Sequence, residues 1–157
     1  MLSRYAYAGV VAALALALVA TGCGAQTVRI QPPEADAAVT EVCADLVAAL
    51  PDTLLGAERA QVRPDSELTA AWGDPPIGLR CGVERPATLT STSYLQQVNG
   101  VPWLPQPEDA PTMYTAIGHE AYVELSIPAA HGAPAAALST VSDLIVEHVP
   151  ALPEGEL

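Results

Sequence analysis

Apolar and polar positions along the chain alternate with two periods. From Glu34 to Leu50, Val39, Val42, Cys43, Leu46 and Leu50 recur at three and four, with Asp36, Glu41 and Asp45 on the other side. That spacing predicts an amphipathic helix stopped by Pro51, its early acids set against the positive end of the helix dipole. Residues 52–68 are polar and broken, and end in a Pro64-Asp65-Ser66 turn signal. Pro75 and Pro76 hold the residues around Asp74 extended. Beyond them Ile77, Leu79, Cys81 and Val83 alternate with Gly78, Arg80, Gly82 and Glu84, the mark of a strand with one buried face.

Residues 87–93 read as a connector. Val98-Asn99-Gly100-Val101 predicts a tight hairpin, because Asn-Gly supplies two positive-φ positions. Pro102 lacks an N–H, which places the return strand through Trp103 and Leu104 at a sheet edge. After a loop at 105–111, a strand over 112–117 pairs with one whose apolar face is Ala121, Val123, Leu125 and Ile127. A three-residue turn at Gly118-His119-Glu120 would bring Met113, Thr115 and Ile117 to the core. A two-residue turn would bring Tyr114 and Ala116 there instead. The three-residue turn is the expectation. Leu138, Val141, Ile145 and either His148 or Val149 mark a last helix ended by Pro150. This order predicts an α+β fold: a small antiparallel sheet with an N-terminal and a C-terminal helix packed on one face.

The N-terminal pattern is of another kind. Arg4 precedes an uncharged apolar run ending at Thr21-Gly22-Cys23, which is the plan of an export signal. As a helix, Ala6 to Gly22 would span roughly 25 Å, short of the ~30 Å hydrocarbon core of a bilayer. A cleaved signal is therefore favoured over a permanent span. Ala20-Thr21-Gly22-Cys23 resembles the bacterial lipobox, whose Cys receives a diacylglyceryl group, so Cys23 is the expected lipidation site. The expected plan is a signal peptide at 1–22, a flexible tether at 23–33, a single domain at 34–150 and a disordered tail at 151–157. The domain would be lipid-anchored on the extracytoplasmic face of the plasma membrane.

Charge narrows the partners. The 157 residues carry a formal net charge of −12, and removing Arg4 with the signal makes the chain one unit more negative. Such a surface cannot neutralise phosphates, so nucleic acid is excluded as a partner. Anionic headgroups would repel it too, leaving the lipid anchor to hold the bilayer. With Cys23 on the lipid, Cys43 and Cys81 remain in an oxidising compartment, each on the apolar face of its element. A disulfide between them would clip the first helix to the strand, contributing about 4 kcal/mol.

Candidate chemistry is sparse. His119, His131 and His148 lie far apart, and there is no CxxC, HxxxH, GxSxG or glycine-rich phosphate cradle. No catalytic residue, metal ligand or cofactor is assigned. His119 is expected to cap a turn and His148 to suit a helix C-terminus. Arg80, between two glycines, could be stacked by Trp72 or Trp103 with Asp74 nearby, giving a binding patch of Trp72, Asp74, Arg80 and Trp103. The structural alternative is a Trp covering the glycines while Arg80 pairs with an acid. Two functions stay open: a non-enzymatic domain binding an envelope protein, wall component or small ligand, and an envelope hydrolase or transferase.

The lipobox, CADLVAALP, AAWGDPPIGLRCGVERP, VNGVPWL and YVELSIP together resemble a family of actinobacterial lipoproteins of unknown function, over roughly residues 38–130. The resemblance implies export, one small domain and the paired cysteines. It implies no activity, cofactor or catalytic residue.

Overall fold

Asp36 starts the first helix. Its side chain accepts a hydrogen bond from the Val39 N–H at 2.9 Å, one of the donors that a helix N-terminus leaves open. The early acids thus act through this cap, since the first turn itself holds none. The computed structural model describes residues 26–153, 155 and 156; the expected signal peptide and Cys23 lie outside the described residues. In chain order the elements are β1 (Thr27–Arg29), α1 (Ala37–Ala49), β2 (Thr53–Leu54), β3 (Ala57–Glu58), β4 (Gln61–Arg63) and β5 (Thr69–Trp72). They continue with β6 (Ile77–Val83), β7 (Gln96–Val98), β8 (Val101–Gln106), β9 (Met113–Ala116), β10 (Tyr122–Ser126) and α2 (Ala135–His148).

Six strands form one antiparallel sheet in the order β5-β6-β10-β9-β8-β7. The two helices pack together, and Cys43, Leu46, Leu138, Val141 and Ile145 share a core with Ile77, Leu79, Cys81, Val123 and Leu125 of the sheet. This is the expected α+β fold. A short parallel pair, β1 with β4, extends it beyond β5, where the Ala60 N–H donates to Ala71 O.

The alternation read from residues 77–83 holds up to Cys81 and then breaks. Tyr122 pairs with Val83 while Val123 pairs with Cys81, so Gly82 is the extra residue of a bulge, at φ +86°. A Cβ there would lie 3.0 Å from both Ala35 Cβ and Val39 Cγ1. The bare backbone lets α1 approach closely enough for the Cys43–Cys81 disulfide, which joins residues 38 apart and is fully buried.

Four expectations need correction. Val123 pairs with Ala116 and Leu125 with Tyr114, so Tyr114 and Ala116 face the main core, not Met113, Thr115 and Ile117. The other face of β9 is covered as well: Ile117 packs with Leu89 and Leu104. β8 is not an edge strand but lies between β7 and β9. Residues 27–29, inside the expected tether, form β1, and Ile30 N donates to Arg63 O at 3.1 Å. In the expected tail, Leu152 N donates to Gly118 O at 3.0 Å.

Candidate functional site

The structure does not assemble the patch of Trp72, Asp74, Arg80 and Trp103. Trp72 and Trp103 are both fully buried on the helix-covered face of the sheet. Trp103 Nε1 donates to Ser142 Oγ of α2 at 2.9 Å, and Trp72 Nε1 to Pro51 O at 2.9 Å. Arg80 projects from the opposite face, where it pairs with Glu124 at 3.2 Å as the structural alternative expected, but the glycines beside it are approached by Ser126 and Ile30 at Gly78 and by Ala35 and Val39 at Gly82, not by a Trp. Its Nε and the Oγ1 of Thr69, the cross-strand neighbour, are buried without a hydrogen-bond partner. Asp74 stands exposed in the turn joining β5 to β6.

The stacked arginine is Arg59 instead. Its guanidinium lies 5.4 Å from the centre of the Trp72 ring, and donates to Leu50 O at 2.9 Å and Val47 O at 3.1 Å. It closes the carbonyl end of α1, where a cation is favoured. Burial pulls its pKa below the ordinary value, opposed by the carboxylate of Asp52. No local pattern in residues 52–68 announces this role.

A concave feature of about 850 Å³ lies elsewhere, between the end of α2, the C-terminal segment and the β7–β8 hairpin. The hairpin wall is fixed by its turn and by bonds to α2. Asn99 at φ +47° and Gly100 at φ +85° supply the expected turn. Asn99 Nδ2 also donates to Ser139 Oγ and Asp143 Oδ1, each at 2.8 Å, tying the hairpin to α2. The floor holds His119, which is 5% exposed.

His119 is held there by a proline. Ile117 N donates to Pro102 O at 3.0 Å, and the reciprocal bond to Ile117 O is impossible because Pro102 has no N–H. His119 Nδ1 stands 3.2 Å from that same carbonyl and supplies the missing donor. A carbonyl only accepts, so Nδ1 carries the proton, and in the neutral ring Nε2 is left as an acceptor. The C-terminal segment closes the far wall: Glu120 N donates to Pro150 O at 2.9 Å, and His119 bridges Ala151. The expectation for His119 was a turn cap only, and named neither the Ile117 carbonyl nor the cleft beside it.

A smaller hollow of about 460 Å³ lies by Tyr94, Leu104 and Gln106. Among the described residues, no three His, Cys, Asp or Glu side chains converge to hold a metal ion, and no helix is long and apolar enough to cross a membrane.

Against the profiles of known families, residues 4–154 match Protein of unknown function (DUF3515). The chain belongs to the DUF3515 family. The DUF3515 match takes in Cys43, Cys81 and all of the cleft lining except Gly155 and Glu156. No curated protein and no solved structure was found to match.

Proposed function

We propose that this DUF3515 protein is an actinobacterial-type envelope lipoprotein, anchored through acylated Cys23 on the extracytoplasmic face of the membrane, whose domain is a non-enzymatic binding module. The observation that carries the reading is the cleft at His119. It has a built floor and a hairpin wall fixed to α2, while its described lining contains no Ser, Thr or Cys to serve as a nucleophile beside the histidine. A pre-formed concavity with a few fixed polar groups is what a binding site requires. The disulfide suits an oxidising compartment. The lipobox-like Ala20-Thr21-Gly22-Cys23 supplies the anchor. Two acyl chains, at about 0.8 kcal/mol per buried methylene, would hold the domain firmly.

Crosslinking in intact cells, with a photoreactive residue at exposed Val146 on the cleft rim, tests the binding role. A discrete adduct supports it, and its absence at Val146 together with the presence of hydrolytic turnover by the purified protein would replace it with the hydrolase alternative. Mass spectrometry of the mature N-terminus tests the anchor separately. An unmodified N-terminus on protein released to the medium would reject it.

A further inference from the structure

We propose that the His119 cleft receives an alkylammonium group: a primary ammonium on a short aliphatic stem, such as a lysine side chain or a free diamine presents. This deepens the binding reading above and rests on it. Three independent features of the lining point the same way. Among the described lining residues the carboxylates are Glu147 and Glu156, and none is Arg or Lys. The lining includes Val146 to Val149, the carbonyl end of α2, where the helix dipole favours a cation. His148 also sits in that last turn and is a cation only when protonated. Third, His119 is nine-tenths buried with Nδ1 committed to Ile117 O, so the ring nitrogen left for a ligand in the cleft is Nε2, which accepts when unprotonated.

The rest of the lining fits the stem. Val146 is 58% exposed, an apolar side chain left uncovered at the rim, and Leu152 and Pro153 continue the apolar surface. A volume of about 850 Å³ exceeds what one ammonium needs and accommodates the chain that bears it. Among the described lining residues an anionic ligand would meet two carboxylates and a helix C-terminus, with no Arg or Lys to offset them. The chain's net charge of −12 would also draw cations toward the cleft from a distance.

The test is an NMR titration of the full mature chain in detergent micelles with four probes: cadaverine, the amide-capped peptide Ala-Lys-Ala, pentanol as the uncharged control and inorganic phosphate as the anionic one. Cadaverine or the peptide should shift Gly118, His119 and Val146–Ala151, with the His119 Nε2 resonance among the most affected. Pentanol should not. Binding by the peptide alone would make a polypeptide lysine the ligand source, and binding by cadaverine alone a free diamine; both support the proposal. Glu147→Gln with Glu156→Gln, at two exposed positions where folding is not at stake, should weaken binding about fivefold. At about 1 M salt, where the Debye length is roughly 3 Å, binding should fall further. Equal shifts with pentanol, unchanged affinity in the double variant, or preferential binding of inorganic phosphate would each overturn the proposal. None of these results touches the N-terminal acylation, so the cleft and the anchor fail separately.

Discussion

Replacing His119 tests how this sheet accommodates a proline in an interior strand. The imidazole supplies to Ile117 O the hydrogen bond that Pro102 cannot. Ile117 is fully buried, so His119→Ala leaves that carbonyl without its donor in a place water reaches poorly. An unsatisfied buried acceptor costs about 1–3 kcal/mol, before any cavity left by the ring. At about 4 °C per kcal/mol for a domain of this size, Tm should drop by roughly 4–12 °C. Pro102→Ala alone should cost about 0.4–1 kcal/mol, because alanine loosens the unfolded chain. Its new N–H would point at a carbonyl that His119 already serves. In the double variant that same N–H becomes the donor, completing the ladder in the ordinary way. The double variant should therefore be less destabilised than the sum of the two single ones, by about 1 kcal/mol. Urea and thermal unfolding of the four proteins, followed by circular dichroism, measure the cycle. Effects that add to within about 0.3–0.5 kcal/mol would show that the imidazole and the absent N–H are unrelated.

Other substitutions probe the disulfide, the bulge and the buried phenol. Cys43→Ala and Cys81→Ala should each cost about 4 kcal/mol and roughly 15 °C in Tm, for a closed loop of 38 residues, and the double variant should be little worse, because the bond is lost once. Two free thiols in the denatured, unreduced protein would contradict this. Gly82→Ala should lower stability by about 1–3 kcal/mol, since it places a Cβ at φ +86° and 3.0 Å from Val39 Cγ1; an unchanged unfolding midpoint would mean that α1 is not held by that approach. Burial raises the pKa of Tyr114 above its ordinary 10.0, and its hydroxyl donates to Pro111 O. The folded state then holds that proton more tightly, so stability is full below pH 10 and declines as pH rises through the folded value. Tyr114→Phe should flatten this alkaline decline in urea midpoints, and an unaltered decline would assign it to another group.

What could be read from the sequence depended on whether an element buries one face or two. Both helices have a solvent side, so their stripes at Leu46 and at Leu138, Val141 and Ile145 stood out, and the prolines at 51 and 150 marked their ends. β6 alternates because Gly78 and Arg80 face away from the core, and the inward phase of Cys81 could be matched to that of Cys43. β9 gave no such contrast. Tyr114, Thr115, Ala116 and Ile117 are all buried, two on each face, so the pattern could not fix the register. Arg59 was invisible for a different reason: its partners Val47, Leu50 and Trp72 come from α1, the chain after it and β5, and only the fold brings them together. His119 left one usable signal. A proline in a strand that pairs on both sides leaves a carbonyl wanting a donor, and a histidine two residues from that carbonyl can reach it.

The order of strands bears on which side the proposed ligand must come from. β1 begins four residues after Cys23 and lies beyond β5, at one edge of the assembly. The cleft includes Gln97, Asn99 and Gly100, from the hairpin at the opposite edge. From β5 to β7 there are five inter-strand steps, which at about 4.8 Å each separate the two edges by roughly 24 Å. On the proposed anchoring, four extended residues reach at most about 14 Å from the lipid. The proposed anchor would thus hold the β1 edge within that reach of the bilayer, and a domain standing on that edge would carry the cleft well above the headgroups. A ligand embedded in the membrane would have to leave it to reach His119, whereas one in the aqueous envelope meets the cleft directly. The net acidic charge favours the same arrangement, since anionic headgroups would repel the domain and Cys23 to Gln26 carry no charged side chain. With the proposed anchor beside the β1–β4 pair and the cleft at the far edge of the six-stranded sheet, the layout argues for capture of a soluble or wall-borne ammonium, and against work on the lipid itself.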